Sequence, residues 1–325
     1  MTVINGIEID NIDYKVNEIK HAIKNNDPIE EKLNVILVIS NPCLYARRYV
    51  LLKEFVKRIE EEEENVVLYI VEMIYPNQKF IVTEKNKRHL QVKCDVPLWH
   101  KENMINMGVK MLPSLYKAFA WIDADIEFES STWALDTLKI LNGCKDVVQL
   151  FSHCVDMDKD ESTMRVFNSF GYNFCKKKKY VGKGTDYWHP GYAWAMNRKA
   201  YEKVGIADKA ILGSGDNIMA LSFINKCNNI VNNKFSMAYN EYMLSYQEKA
   251  KHLRLGYVPG VIRHYFHGTK LNRKYNERWL LLVKYQYNPN IDVYYSKGLL
   301  KTTETFSNMF KEEIMEYFRQ RKEDE

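Results

Sequence analysis

The sequence predicts an α/β fold: a mainly parallel central sheet sandwiched by helices, with a helical extension at the C-terminus. Three observations carry this. Apolar runs of strand length alternate with stretches of helical periodicity, the order that builds a parallel sheet with helices on its faces. The runs are nearly continuous rather than alternating, as strands buried on both sides require. Polar residues gather just beyond the runs, where open α/β sheets place their ligands.

Taken in order, Ile12, Val16, Ile19 and Ile23 recur at helical spacing and predict a short amphipathic helix ending near Asn26, Asp27 and Pro28. The run from Leu33 to Ile39 is the first buried strand. The loop Ser40, Asn41, Pro42 then leads into a helix with Val50, Leu51, Phe55 and Val56 on its apolar side, and the acidic run Glu60–Glu64 reads as the exposed end of that helix. Val66 to Val71 is a second strand. Lys101 to Leu112 is a helix turning Met104, Ile105, Val109 and Leu112 inward. Ala118 to Ile122 is a third strand, Trp133 to Leu141 a helix, and Val147 to Phe151 another strand. The chain changes character near Asn290, and Thr303 to Gln320 reads as a terminal amphipathic helix with Phe306, Met309, Phe310, Ile314 and Phe318 as its packing face. The predicted organisation is an N-terminal helical segment over 1–30, one α/β domain over 31–288 and a C-terminal helical extension over 289–325.

At 325 residues, 46% apolar and 27% charged, the chain has the make-up of an ordinary folded protein with a sizeable core. The net charge of +5 is spread along the sequence. Its one dense basic block, Lys176–Lys179, reads as a solvated loop, so nucleic acid is not expected as a partner. Six scattered cysteines form no CxxC pair and read as thiols in a reducing compartment. Met1 to Asp13 carries acids and no apolar signal core, and no apolar stretch is long enough to span a bilayer. The 22 tyrosines suit contacts with sugars, which offer both apolar CH faces and hydroxyls.

The segment from Ala120 to Phe128 carries the strongest chemical signal. An apolar strand delivers two carboxylates, Asp123 and Asp125, two positions apart at its end. Both can converge there on one cation, and Mn²⁺ or Mg²⁺ favours such oxygen ligands together with phosphate oxygens and water. The alternative is that one of the two aspartates merely opens a turn or caps a helix.

With its flanks, this segment resembles the GT-A glycosyltransferases, including viral and phage members, over most of 33–285. The resemblance runs through four ordered parts. Ile39 to Pro42 with Tyr45, Arg47 and Arg48 is like the first strand and its nucleotide-side loop. Tyr69 to Glu72 is like the strand that brings an acid near the base. Leu98 to Asn106 is like the helix bordering the nucleotide, and Asp123-Ala124-Asp125 is like the metal motif. The resemblance implies a GT-A, Rossmann-like sandwich in which Asp123, Asp125 and a late histidine hold the metal. It further implies that Ser40, Asn41, Pro42, Arg47, Glu72, Lys101, Asn106, Asp123 and Ala124 contact the nucleotide sugar.

Downstream, His189 to Met196 followed by Arg198 to Gly205 is similar to the family's acceptor-side segment, which implies that His189, Gly191, Tyr192 and Trp194 bind the acceptor. Leu212 to Asn217 is similar to the acidic turn of β-1,4-galactosyltransferases, although this chain has no Trp in the turn and a single acid. Asp216 would be the base that deprotonates the acceptor hydroxyl; a helix N-cap after a glycine turn is the structural alternative. His264 and His267 both qualify as the late metal ligand, with His267 preferred for its neighbour Gly268, and Lys270 and Arg273 would neutralise the departing diphosphate.

The implied activity is transfer of a sugar from a UDP- or GDP-linked donor to a hydroxyl of a glycan acceptor, with Mn²⁺ or Mg²⁺ as cofactor and inversion at the anomeric carbon. A cytoplasmic location is expected, the host cytoplasm if the chain is virus-encoded. Two rivals are a metal-dependent nucleotidyltransferase or phosphohydrolase, for which Glu127 and Glu129 lie near the paired aspartates, and a catalytically degenerate glycan-binding module.

Overall fold

The computed structural model describes residues 2–4, 7–9, 27–184, 186–274 and 277–325. The helix predicted over 12–23 lies outside the described residues. A short antiparallel hairpin, β1 (Thr2–Ile4) and β2 (Ile7–Ile9), comes first. From Leu33 the order is β3 (Leu33–Ser40), α1 (Ala46–Glu62), β4 (Val66–Ile74), β5 (His89–Lys93), α2 (Lys101–Val109) and β6 (Ala118–Ile122). Next come β7 (Ile126–Phe128), α3 (Trp133–Leu141), β8 (Val147–Gln149), β9 (His153–Met157), β10 (Thr163–Asn168), α4 (Phe170–Cys175), β11 (Ala193–Asn197) and α5 (Arg198–Val204). The last part holds α6 (Gly215–Phe223), α7 (Met237–Ala250), β12 (Leu255–Tyr257), β13 (Val261–His264), α8 (Arg278–Lys284), β14 (Val293–Ser296), β15 (Leu299–Thr302) and α9 (Asn308–Gln320).

The central sheet has seven strands in the order β12-β8-β11-β6-β3-β4-β5. Every neighbouring pair is parallel except those made by β11, which runs antiparallel to both β6 and β8. The predicted α/β class with a mainly parallel central sheet therefore holds. The strand β11 is an addition, built from residues that the resemblance assigns to the acceptor side.

The central strands are apolar because both of their faces are covered. Leu33, Val35, Leu37 and Ile39 of β3 point to one side and join Leu52 and Phe55 of α1 and Trp133 and Leu138 of α3. Ile36 points to the other side and joins Val71, Met104, Phe119 and Trp121. This is the period of two that a strand imposes. Helix α2 lies close on that second face: a Cβ at Gly108 would sit 2.6 Å from Ile36 Cγ2.

A second, four-stranded sheet has the order β10-β9-β13-β7. Its register places His264 of β13 opposite Ile126 of β7 on one side and opposite Asp156 of β9 on the other.

Several local expectations change. The helix predicted to Leu112 ends at Val109, and that predicted from Thr303 starts at Asn308 behind the cap Ser307, whose side chain accepts from Phe310 N–H. Phe306, just before α9, and Phe310, Ile314 and Phe318 on it are buried as predicted, but Met309 is 62% exposed and Tyr317 takes its place in the core. The acidic run is not all solvated: Glu63 accepts the indole N–H of Trp133 at 2.6 Å. Lys176–Lys179 are exposed, as expected of a loop. All six cysteines are among the described residues; five are buried, and no disulfide joins them. Among the described residues no helix is long and apolar enough to cross a membrane.

Candidate active site

Beyond the carboxyl ends of β3 and β6 opens a cavity of about 1130 Å³. Ser40 closes β3 and Asp123 comes directly after β6, and both line it. Three separately anchored segments meet at its wall: the 123–125 turn, His267 just beyond β13, and the N-terminus of α6, with His264 behind them.

Asp125 sits in the turn between β6 and β7, fixed by Tyr265 N–H donating to its carbonyl at 2.8 Å. Because β13 pairs with β7, this bond and the His264–Ile126 register put His264 beside Asp125. Asp125 Oδ2 is 3.7 Å from His264 Nε2 and 2.6 Å from His267 Nε2. The three side chains can place one ligand atom each within 4.8 Å of one another. On its far side His264 Nδ1 is 2.7 Å from Asp156 Oδ1, its neighbour in the sheet register. Asp156 also pairs with Arg165 Nε at 3.0 Å and with Lys270.

Two atoms of this cluster, Asp125 Oδ1 and His264 Nε2, are buried with no hydrogen-bond partner among the described residues. Buried polar atoms are nearly always satisfied, so such a pair facing one space needs an explanation. A third atom is over-subscribed. His267 Nε2 lies 2.6 Å from Asp125 Oδ2 and 2.8 Å from Arg273 Nη2. A protonated Nε2 can donate to the carboxylate and a bare one can accept from the guanidinium, but no single tautomer does both. A divalent cation between Asp125, His264 and His267 would give the two unsatisfied atoms a partner by taking lone pairs from the carboxylate and from both imidazoles, and the Arg273 guanidinium would then turn from His267 Nε2 to another acceptor. The residues fit such an ion.

The same groups shift one another's ionisation. Burial pushes the Asp125 carboxyl upward, yet His267 and His264 outweigh it and hold the group well below the usual carboxylate range. For His264, burial pulls downward and is overcome by Asp125 and Asp156, which raise it. Asp123 takes a different partner. It is ion-paired with Lys101 at the start of α2, and burial leaves its carboxyl raised despite that lysine. The two aspartates of the motif are therefore divided, Asp125 with the histidines and Asp123 with Lys101.

Asp216 is the second residue of α6 and lines the cavity. The residue before the helix is Ser214, at φ 79° in the left-handed region, so Asp216 is not the N-cap. Its Oδ1 accepts from Asn217 N–H at 2.8 Å, and its Oδ2 lies against the acceptor-side segment, 3.1 Å from where a Cβ at Gly191 would stand. Glu102 is packed beside it: a Cβ at Gly215 would be 2.6 Å from the Glu102 carboxyl. Burial pushes Glu102 from its ordinary value of 4.5 up to about 8, against the pull of Lys101.

Of the other residues nominated from the sequence, Ala124, His189, Gly191, Tyr192, Lys270 and Arg273 line the cavity. His189 stacks on Tyr192 with ring centres 4.3 Å apart, and Tyr192 leans on His264 at 4.6 Å. Trp194 is buried in the core instead, its indole N–H donating to Pro190 C=O at 2.8 Å.

Asn41, Pro42, Arg47, Glu72 and Asn106 do not line the cavity. Glu72 is 1% exposed and accepts the backbone N–H groups of Ile81, Val82 and Thr83 and the Thr83 hydroxyl, so it fixes a loop rather than a base. Asn106 ties α2 to Ile206 C=O and Asp208. Asn41 holds Tyr45 through its side-chain amide, Pro42 C=O accepts from Gln78, and Arg47 Nε donates to Phe266 C=O at 3.1 Å.

Asp156, Trp99, Glu102, Arg278, Arg321 and Glu323 carry no role in the sequence reading, yet the structure brings them to the site or its walls. Trp99 lies between Phe318, stacked at 6.4 Å, and the guanidiniums of Arg321 and Arg278 at 5.1 and 5.9 Å. Both guanidiniums donate to the Tyr317 hydroxyl, and Arg278 also donates to Ser214 Oγ. Glu102 stands next to Lys101 at a helix start, a local signal that points to it. Nothing local marks Arg321 or Glu323.

No family model and no curated protein sequence matches the chain. Among solved structures, a mutant Drosophila β1,4-galactosyltransferase 7 in complex with manganese, UDP-Gal and xylobiose is similar over 81% of this chain and 85% of that one, at 10% identity and a TM-score of 0.38. The catalytic domain of Drosophila β1,4-galactosyltransferase 7 with xylobiose is similar over 82% and 86%, at 10% identity and a TM-score of 0.37. A mannose-1-phosphate geranyltransferase from Thermus thermophilus is similar over 72% and 75%, at 10% identity and a TM-score of 0.34. Likenesses this remote carry no argument about chemistry.

Proposed function

We propose that this protein is a metal-dependent glycosyltransferase of the GT-A type that moves a sugar from a nucleoside-diphosphate sugar to a hydroxyl of a glycan acceptor, with inversion. The observation that carries the reading is the convergence of Asp125, His264 and His267 at the cavity, with Asp125 Oδ1 and His264 Nε2 buried and unsatisfied among the described residues. Two imidazoles and a carboxylate suit Mn²⁺ better than Ca²⁺ or Mg²⁺. Bound there, the ion would bind the donor's diphosphate and offset its growing charge as the sugar leaves.

The chain's own residues supply the rest. Lys270, Arg273 and Lys101 border the same space and favour phosphate oxygens. His189, half-buried at the cavity with Tyr192 stacked behind it, would offer its ring to a sugar. Asp216 accepts the proton of the acceptor hydroxyl while the new glycosidic C–O bond forms and the bond to the diphosphate breaks. One displacement of this kind inverts the anomeric centre.

The nucleotidyltransferase rival is weakened by its own carboxylates. Glu127 accepts the Tyr265 hydroxyl and faces Arg58 at 3.9 Å, and Glu129 is paired with Arg263. Incubation with a panel of UDP- and GDP-sugars, Mn²⁺ and glycan acceptors tests the reading. Release of the nucleoside diphosphate is expected. Release of monophosphate or pyrophosphate would favour the nucleotidyl class, and tight glycan binding without donor turnover would favour a degenerate binding module.

A further inference from the structure

The C-terminal tail is fastened at four places. Tyr45 OH shares its one proton between Phe318 C=O at 2.8 Å and Arg319 C=O at 2.7 Å, and accepts from Lys322 N–H at 3.1 Å. Asp324 accepts the N–H groups of Ala46 and Arg47, the exposed donors at the start of α1. Glu323 is 1% exposed and is gripped by Arg48 and Arg321. The fourth contact is with Gly268. At φ 84° and with Glu323 Cα and Lys322 O both 3.0 Å from where a Cβ would stand, this position takes the tail backbone in direct contact.

The consequence falls on the neighbouring residue, His267. Its Nε2 faces Asp125, and its Nδ1 faces Glu323 Oε2 at 3.8 Å. His264 has the same two-sided setting with a closer partner, Nε2 towards Asp125 and Nδ1 hydrogen-bonded to the buried Asp156 at 2.7 Å. Glu323, by contrast, stands beyond hydrogen-bond distance of His267 and acts on it through charge. Each imidazole thus stands between Asp125 and a second, buried carboxylate. A hydrogen-bonded carboxylate such as Asp156 keeps the proton on Nδ1 and orients the ring, and a carboxylate as near as Glu323 favours a proton on Nδ1 by its charge. Both leave the Nε2 lone pair for a metal.

We propose that Glu323 is a positioning residue of the metal centre: the C-terminal tail carries it against Gly268 so that the charge of its carboxylate favours the Nδ1-protonated tautomer of His267, the role that Asp156 fills for His264 through a hydrogen bond. The inference rests on the reading of Asp125, His264 and His267 as a cation site. It makes the last residues of the chain part of that site rather than an appendage.

The test is Mn²⁺ titration of the full chain, read as loss of the free Mn²⁺ signal in electron paramagnetic resonance. Melting temperatures are taken alongside. Glu323→Gln is expected to weaken Mn²⁺ binding roughly ten- to hundredfold, the usual effect of losing such a partner. Glu323→Asp keeps a carboxylate for both guanidiniums but draws it back from His267, so it should fold normally and still bind Mn²⁺ more weakly. It decides the matter if the Gln variant does not fold. Were the Asp variant to bind Mn²⁺ within twofold of wild type, roughly the scatter of such titrations and well short of the partner-loss effect, Glu323 would merely hold the tail and the proposal would be overturned. A wild-type chain that binds no Mn²⁺ would instead overturn the cation site and the proposal with it.

Discussion

Asp125 Oδ2 and His264 Nε2 stand 3.7 Å apart, too far for a hydrogen bond, and each residue keeps beside that gap a buried polar atom with no partner among the described residues. The spacing suits two groups that share a cation better than two that bond to each other. Asp125→Asn keeps the shape and removes the charge. Its Mn²⁺ affinity should fall by more than the roughly ten- to hundredfold typical of losing an outer partner, with the fold intact. Unchanged affinity in a calorimetric titration would remove Asp125 from the metal site.

For Asp216 the expectation separates catalysis from capping. The helix starts after Ser214 and Asp216 is not its cap, so Asp216→Asn should leave the melting temperature nearly unchanged. Turnover should fall by roughly two to four orders of magnitude, the span for loss of a general base, while donor affinity stays. Near-normal turnover would end its assignment as base.

Glu102 gives a pH dependence with a definite sign. Its carboxyl is raised from 4.5 to about 8 by burial, so in the folded protein it holds its proton where the unfolded chain has lost it. The contribution of this group to stability is fully present below about 4.5 and declines as pH rises towards about 8. Glu102→Gln, which stays neutral throughout, should therefore melt higher than wild type at pH 8, by a margin that shrinks as the pH is lowered to 5. Melting curves across that window check it; a margin that grew on acidification would show the sign to be wrong.

Glu72→Ala separates a loop anchor from a nucleotide contact. Three backbone N–H groups and one hydroxyl lose their acceptor, and each buried donor left unmatched costs about 1–3 kcal/mol. A destabilised protein whose remaining folded fraction binds donor normally is the expected outcome. A stable protein with weakened donor binding would restore the role that the resemblance implied for Glu72.

How much of the molecule is legible in the sequence depends on how local each cause is. Leu33 to Ile39 and Ala118 to Ile122 are legible because burial on both faces leaves a continuous apolar run. Asp125 and Asp216 are legible because each lies in or just after a recognisable turn. By contrast, β11 is hidden because its pairing with β6 and β8 depends on partners some 45 to 80 residues away. Glu72 misleads because an acid ending an apolar strand gives no hint of whether it meets a ligand or a loop. The role of Glu323 depends on contacts with Arg48 and His267, far away in sequence, and no local pattern encodes it.

The central claim is that Asp125, His264 and His267 hold a metal ion that in turn holds a nucleoside diphosphate. The most direct measurement is the melting temperature with UDP or GDP, in the presence and absence of Mn²⁺. At about a hundredfold excess over Kd a ligand adds about 2.7 kcal/mol to the folded state, enough to raise the melting temperature by several degrees. The account predicts that rise for one of the two nucleotides with Mn²⁺ and little or none without it. An equal rise with and without the metal, or none for either nucleotide, would contradict it.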